Sequence, residues 1–400
     1  MSQGRIRSRA TIFVAAAAAV AATAAGCGTV VNGAAKRDAG FQPGDALPAL
    51  LNPGNYPTKP NKPPGNGGVD GVILEGQRMA DFVVGPWEVD PTLLVIGYDA
   101  TMVWKNAAAL QVTLAPPAPD IAGRHDFVVG FGSGRASSGP PGQSKALTNG
   151  VLRFPSPADA AAAATELGAS SRPEQTSFPV PGHPEAVALA ATADDGTATV
   201  ESYTPHGTYV FYDYARSQDG NLDTAAALAA KAIDLQGGRI DRFTPTDPAK
   251  FADLPIDPMG LLVRTLPPAK GQVTIRSGSW GPYGALHFAP DPVAAAKIFD
   301  DGALVQKTYG KSMVFESKDV AGAKRLFDGV TSNPSPGEQP AAGVPGLPSS
   351  KCTTSPGDDP TQPKFTCTFH VDRYVAAVAS GQLGDAQQQA AAQYLMLTAR

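Results

Sequence analysis

Two distant stretches of this chain spell out the same structural fragment, and that repetition constrains the fold more than any other feature. VLRFPSPADAAAAATELGA begins at Val151 and ALHFAPDPVAAAKIFDDGA at Ala285. Each reads as a short strand ending in Phe154 or Phe288, then a polar cap with proline at the first helical position. The caps are Ser156-Pro157 and Asp291-Pro292, and the Ala-rich helices that follow stop at Gly168 and Gly302. Serine or aspartate at the N-cap accepts a backbone N–H bond, and proline at the next position forfeits no helical bond. Further on, YVFYDYARS at Tyr209 and YVAAVASGQ at Tyr374 each precede a terminal Ala-rich helix, from about Asp223 and Asp385. The alignment takes a one-residue gap and a long insertion in the second copy. A repeat on this scale predicts two related domains.

Within the first copy, AVALAATADDGTATVESYT reads as a hairpin turning at Asp194-Asp195-Gly196, where glycine can take a positive φ without steric cost. TYVFYDY supplies a third strand. In the second copy KSMVFES is a strand, and Ser317 stands where it can cap the helix KDVAGAKRLFDG. Strand runs interrupted by single helices predict an α+β fold: antiparallel sheets with helices on one face, with a ferredoxin-like half-unit in each domain. The domains are expected at 45–255 and 256–400, hinged around Pro255 to Gly271.

The chain opens MSQGRIRSRATIFVAAAAAVAATAAGC. Arg5, Arg7 and Arg9 form a basic start, and Ala10 to Ala22 an apolar stretch shorter than the about 20 residues a membrane span needs. This matches a removable secretory signal over 1–26. Ala24-Ala25-Gly26-Cys27 resembles the lipobox of bacterial lipoproteins, in which a diacylglyceride is attached to the cysteine thiol; Ala24 departs from the usual leucine. Ordinary cleavage after Ala24 is the alternative. A lipidated Cys27, with a tether over 27–44, would hold the protein on the outer face of the cytoplasmic membrane. Of the three cysteines, Cys352 and Cys367 then remain as one disulfide pair. FTCTFHV alternates strictly, so Phe365, Cys367, Phe369 and Val371 share an inward face. Cys352 is expected in a polar loop, between Asn333 and Pro363, that folds back onto that strand.

Without the signal, 29 basic residues face 36 acidic ones. An acidic body argues against nucleic acid as a partner. The Pro- and Gly-rich stretch Asn52 to Gly68 is too irregular for regular structure, but Tyr56 and the preceding ALPALL place it against the body.

The chemistry-bearing patterns are mostly missing their partners. GFGSGR, Gly130 to Arg135, lacks the sixth-position glycine of a dinucleotide fingerprint and the Lys-Ser/Thr of a P-loop. It reads as a glycine-permitted strand end with Arg135 in a surface ion pair. Ser133 and Ser279 do not fit the nucleophile elbow, because Phe131 and Ser277 occupy the first glycine position. The histidines (His125, His183, His206, His287 and His370) show no zinc-ligand spacing and read as surface or capping residues. The acid pairs Asp194-Asp195, Asp300-Asp301 and Asp358-Asp359 belong to turns and a helix end. No cofactor and no metal site is expected.

QRMADFVVGPWEVDP (Gln77 to Pro91), VVGFGSGRAS (Val128 to Ser137), KALTNGVLRFPSPADAA and the closing DRYVAAV…AAAQYLML resemble a group of two-domain lipoproteins of mycobacteria, nocardiae and rhodococci. The resemblance covers nearly the whole mature chain and implies an envelope with mycolic acids, but no activity. The aromatic strand Tyr209, Phe211, Tyr212 and Tyr214 reads first as core or domain-interface packing; if a binding groove exists, this strand, with Trp280 and Tyr283 as neighbours, is its expected border in a crevice between the domains. The expected function is non-enzymatic binding of an envelope lipid, glycan or protein; the alternatives are an interaction scaffold without a small-molecule site, and an enzyme of unrecognised type.

Overall fold

A computed structural model describes residues 46–140, 142–170, 174–332, 337–356 and 363–399. The signal segment 1–26, Cys27 and the tether 27–44 lie outside the described residues.

Among the described residues are two seven-stranded antiparallel sheets. Helix α1 (Gly71–Met79) and a single helical turn at Pro86–Val89 lead into the first domain. It continues with β1 (Leu93–Trp104), α2 (Ala118–Arg124), β2 (Val129–Ser137), β3 (Lys145–Arg153) and α3 (Pro157–Ala169). Then come β4 (Thr176–Ser177), β5 (Val187–Thr192), β6 (Ala198–His206), β7 (Tyr209–Ser217) and α4 (Leu222–Ile240). The second domain holds β8 (Gly278–Trp280), α5 (Pro292–Asp301), β9 (Leu304–Tyr309), β10 (Ser312–Ser317) and α6 (Val320–Ser332). It ends with β11 (Gln339–Ala341), β12 (Lys351–Thr354), β13 (Phe365–Val371), β14 (Tyr374–Ser380) and α7 (Leu383–Thr398). The strand orders are β1-β2-β3-β7-β6-β5-β4 and β8-β9-β10-β14-β13-β12-β11. They are the same order, so the two domains are copies of one α+β unit. In place of a ferredoxin-like half-unit, each copy has three strands, a helix, a four-stranded meander and a closing helix.

The register of the repeat differs from the sequence expectation. Tyr209 and Tyr374 do correspond. Each follows a two-residue hairpin turn, paired His206↔Tyr209 and Val371↔Tyr374, with Gly207 and Asp372 at positive φ. Phe211 pairs with Val151, and Ala376 with Val314, so the partner of Val151 is Val314, not Ala285. From there the copies run without a gap. Ser156 caps α3 by accepting from the Asp159 N–H, and Asp319 (not Ser317) caps α6 by accepting from the Gly322 N–H. Residues Gly284–Phe288 are a 3-10 turn rather than a strand, and α5 matches α2.

Helices cover both faces of each sheet. On the first, Val210 and Tyr212 point toward Ala160, Ala163 and Leu167 of α3, while Phe211 and Ala215 point toward Ala225 and Ala226 of α4. On the second, Val314, Phe369 and Val378 meet α7, and Phe315 and Val375 meet α6. One apolar cluster spans both domains, joining Phe131, Val151 and Phe211 to Trp280, Phe288, Phe315 and Leu326. The sheet edges are short (β4, β8, β11) or, in β1, broken by a register shift between Gly97 and Met102, which guards them against strand addition.

Residues 46–61, assigned by sequence position to the first domain, pack on the second. The Ala46 N–H donates to the Tyr394 hydroxyl, Tyr56 to Asp385 at 2.8 Å, and the Asn61 side chain to the carbonyls of Val263 and Thr265. The ALPALL segment therefore lies against the body as expected, along α7.

Candidate functional site

The GFGSGR stretch is β2 itself, and its alternation explains the glycines. Gly130, Gly132 and Gly134 share one face of the strand. A Cβ on Gly132 would lie 2.4 Å from the Trp104 ring and 2.7 Å from the Ala100 carbonyl, so only glycine lets that fully buried indole lie against the sheet. Phe131, Ser133 and Arg135 share the other face, which looks toward the second domain.

Arg135 is not in a surface ion pair. It is buried at 2% exposure, and its Nη2 donates to the carbonyls of Leu286 (3.2 Å), His287 (2.9 Å) and Ala289 (2.7 Å). Those carbonyls end the 3-10 turn Gly284–Phe288, so the guanidinium caps its negative pole from the other domain. The same guanidinium lies 5.1 Å from the Trp87 ring.

His287, expected at the surface, is fully buried. Its Nε2 faces the Ala80 carbonyl at 3.0 Å, which requires the proton there; Nδ1 then accepts from the Ser133 hydroxyl at 2.8 Å. Burial, reinforced by the nearby cations Arg135 and Arg239, pushes its pKa down to about 3, so the ring is neutral. A serine donating to a neutral imidazole has the polarity of a nucleophile–base pair. Both side chains are wholly enclosed, however, and the second imidazole nitrogen meets a backbone carbonyl rather than an acid. The arrangement joins domains. Around it, Glu88 accepts a two-pronged pair from Arg239 (2.8 and 2.7 Å) and the Tyr283 hydroxyl, while Gly284 N–H donates to Asp81 at 2.6 Å. Burial, then Glu88, raises the Tyr283 pKa, keeping it a donor.

The expected crevice border is enclosed. Tyr209, Phe211 and Tyr212 are buried, and only Tyr214 is half-buried, because β7 is the central strand with α3 on one face and α4 on the other. Trp280 is 1% exposed, packed on Phe288 and Phe131, and its indole donates to the Arg276 carbonyl at 2.7 Å. Tyr283 is half-buried in the Glu88 cluster. These six residues take part in core and interdomain packing.

Sequence reasoning overlooked a row of polar side chains on the inner face of the first sheet. Ser133, Asn149, Asp213 and Ser202 stand directly opposite one another across β2, β3, β7 and β6, and all are fully buried. The signal for Asp213 was present: it is an acid in phase with Tyr209, Phe211 and Ala215. Asn149 is held by α4. Its Nδ2 donates to the Val84 carbonyl (2.7 Å) and to Gln236 Oε1 (3.1 Å). Gln236 also accepts from the Val84 N–H (2.8 Å) and donates to the Phe82 carbonyl (2.9 Å). The second domain repeats this clamp: Gln393 on α7 accepts from Ser312 (2.5 Å) and the Leu266 N–H (2.9 Å), and donates to the Arg264 carbonyl (2.6 Å). In each copy a glutamine carboxamide thus completes the backbone bonds of the segment entering the domain. Asp213 has no such arrangement; neither carboxylate oxygen has a partner, and burial raises its pKa well above the carboxylate range.

The disulfide Cys352–Cys367 is formed, with Cα atoms 4.1 Å apart. Cys352 lies on β12 directly opposite Cys367 on β13, rather than in a loop. Asp195 accepts from the Thr197 N–H and serves its turn as expected. Beside that turn, Ser138, Ser144, Asp195, Thr197 and Gln218 edge an open polar depression of about 630 Å³. His125 hydrogen-bonds to Glu166, His183 to Glu185 and Asp234, and His206 to Asp241. Among the described residues no three His, Cys, Asp or Glu side chains converge on a metal position, and no helix is long and apolar enough to cross a membrane.

Two family models match the chain: the N-terminal domain of unknown function DUF7373 over residues 62–256, and its C-terminal counterpart over 261–400. No curated protein matches. Among solved structures, the extracellular domain of PknH from Mycobacterium tuberculosis is similar at 14% identity with a TM-score of 0.30, covering 42% of this chain and 97% of that one. A TM-score that low bears on neither fold nor function.

Proposed function

The chain belongs to the DUF7373 family, carrying both of its domains, and on that premise we propose that it is a non-enzymatic protein of the cell envelope, held by a lipid on Cys27, that works as a rigid interaction scaffold. The observation that carries this reading is the continuous core between the domains. Phe131 and Phe211 of the first sheet share one apolar cluster with Trp280 and Phe288 of the second, so the place where a two-domain binding protein keeps its ligand is filled by side chains. The buried Arg135 and His287 contacts fix the two domains in one orientation. A rigid body presents its outer faces in a constant geometry, which suits docking of other proteins. The open polar depression beside Thr197 favours a second reading, a glycan site: its edge offers hydroxyls, an amide and one carboxylate, and no aliphatic or aromatic side chain to hold an acyl chain.

Native mass spectrometry of protein taken from its own envelope, before and after lipid extraction, separates these. The scaffold reading expects one diacylglyceride on Cys27, no other stoichiometric lipid or sugar, and protein partners captured by cross-linking. A glycan retained at one per chain supports the second reading. A stoichiometric lipid besides the anchor overturns both. Cys27→Ala is expected to release the protein into the medium; retention in the membrane fraction contradicts the anchor.

A further inference from the structure

Asp213 is a buried acid that the fold itself does not require. Its oxygens face the same side of the sheet as three further unpartnered ones: Asn149 Oδ1, Ser202 Oγ and Thr204 Oγ1. All four side chains are 2% exposed or less. Asn149 and Ser202 oppose Asp213 directly on the two neighbouring strands, and Thr204 is two residues along β6 from Ser202, on the same face. Both Nδ2 hydrogens of Asn149 are committed to Val84 and Gln236, which leaves its Oδ1 as an acceptor only. Over this face α4 contributes mainly alanines, such as Ala225, Ala226 and Ala229, and these bring no donor.

The second domain supplies an internal control. In the same register it has Val378 for Asp213 and Cys367 for Ser202, with Cys352 beyond it where the first domain has Ala188. The architecture therefore closes without the acid and without the serine beside it, and an acid left there without a partner lowers stability unless something compensates its charge.

We infer that the Asp213 row is an occluded binding site for a single monovalent alkali cation, coordinated by Asp213 with Ser202 and Thr204 of the neighbouring strand. The donor set is all oxygen, the preference of hard cations. Directly opposed side chains stand about 4.5–5.5 Å apart at Cβ, close enough for one ion to be shared between Asp213 and an opposed oxygen. The charge selects the valence: one carboxylate with one monovalent ion leaves no net charge in an apolar interior, whereas a divalent ion would leave an excess positive charge there.

The test is thermal unfolding of the full chain at constant ionic strength, with sodium or potassium chloride replacing choline chloride. Wild type is expected to gain about 1–3 °C, saturating with alkali ion, because a ligand bound only by the folded state shifts the midpoint. Asp213→Val, the residue of the second domain, is expected to melt higher than wild type in choline and to show no alkali-specific gain. Equal wild-type midpoints in all three salts, or an alkali gain retained by Asp213→Val, overturn the site and leave the row to water. Should Asp213→Val not fold, equilibrium dialysis of wild type against rubidium decides: about one ion per chain supports the site, and none overturns it.

Discussion

Across β3, β7 and β6 of the first sheet stand Asn149, Asp213 and Ser202; across β10, β14 and β13 of the second, the same register carries Ser312, Val378 and Cys367. Both rows lie under a closing helix whose glutamine, Gln236 or Gln393, clamps the entering segment. In one copy the row's single hydroxyl, Ser312, is bonded to the clamp glutamine and the row ends in a disulfide. The other is polar, and three of its residues keep oxygens without partners. Because the surrounding scaffold is shared, the difference separates what the fold needs from what it merely carries. The glutamine clamp, present in both, belongs to the fold. The acid and the disulfide, each present in one copy, are additions.

This comparison can be broken in several places. The largest effect is expected from Arg135→Ala, which removes the donor shared by the His287 and Ala289 carbonyls, while Leu286 keeps the Ala289 N–H, and should cost about 3–5 kcal/mol. The loss falls on the junction, so calorimetry should show the single transition splitting into two; an unsplit transition would mean that the shared apolar core alone couples the copies. Acid should act at the same junction. His287 has a folded pKa of about 3 against an unfolded 6.5. The unfolded chain binds the extra proton, so this contribution is complete above pH 6.5 and is lost as pH falls from 6.5 toward 3. It amounts to about 5 kcal/mol at most. His287→Gln, which can still donate to the Ala80 carbonyl, is expected to flatten the pH dependence over that window in urea denaturation, and an identical slope would contradict the assignment.

Cys352→Ala with Cys367→Ala should destabilise by about 3 kcal/mol, the chain-entropy value for a loop of this size, and the loss should register in the second copy's hydrogen exchange. Uniform loss over both sheets would show that the copies do not unfold separately even locally. The smallest effect sharpens the comparison most. Gln236→Leu and Gln393→Leu are each expected to lose about 1–2 kcal/mol, and by similar amounts, because the two clamps make equivalent bonds. A strong asymmetry in their urea midpoints would mean that one clamp is incidental.

The Tyr209 and Tyr374 correspondence is legible in the sequence because a two-residue turn, a strand and an Ala-rich helix recur around it with little change. The Val151 correspondence is not. Its partner Val314 keeps the cap position, Ser156 against Asp319, but loses the proline and most of the alanines, while Ala285 keeps the composition without the topology. The alternation of FTCTFHV correctly places Cys367 facing inward, yet it says nothing of β12, whose four residues are too few to show a period. Arg135 and His287 defeat local reading for a different reason. Arginine and histidine in glycine-rich surroundings suggest a surface, and only the approach of the second domain, with its carbonyls and the Ser133 hydroxyl, makes their burial favourable. Asp213 was detectable by phase, as an acid among inward aromatics. Its lack of a partner depends on neighbours from two other strands, which no single stretch of sequence contains.

The central claim is that the two copies form one rigid body, with the interdomain space filled by core. Differential scanning calorimetry of the wild-type full chain at neutral pH tests it most directly, by comparing the calorimetric enthalpy with the van't Hoff enthalpy. One transition with the two enthalpies equal is the predicted result. Two resolved transitions in the wild type would mean independent domains, and would reopen the crevice between them as a binding site.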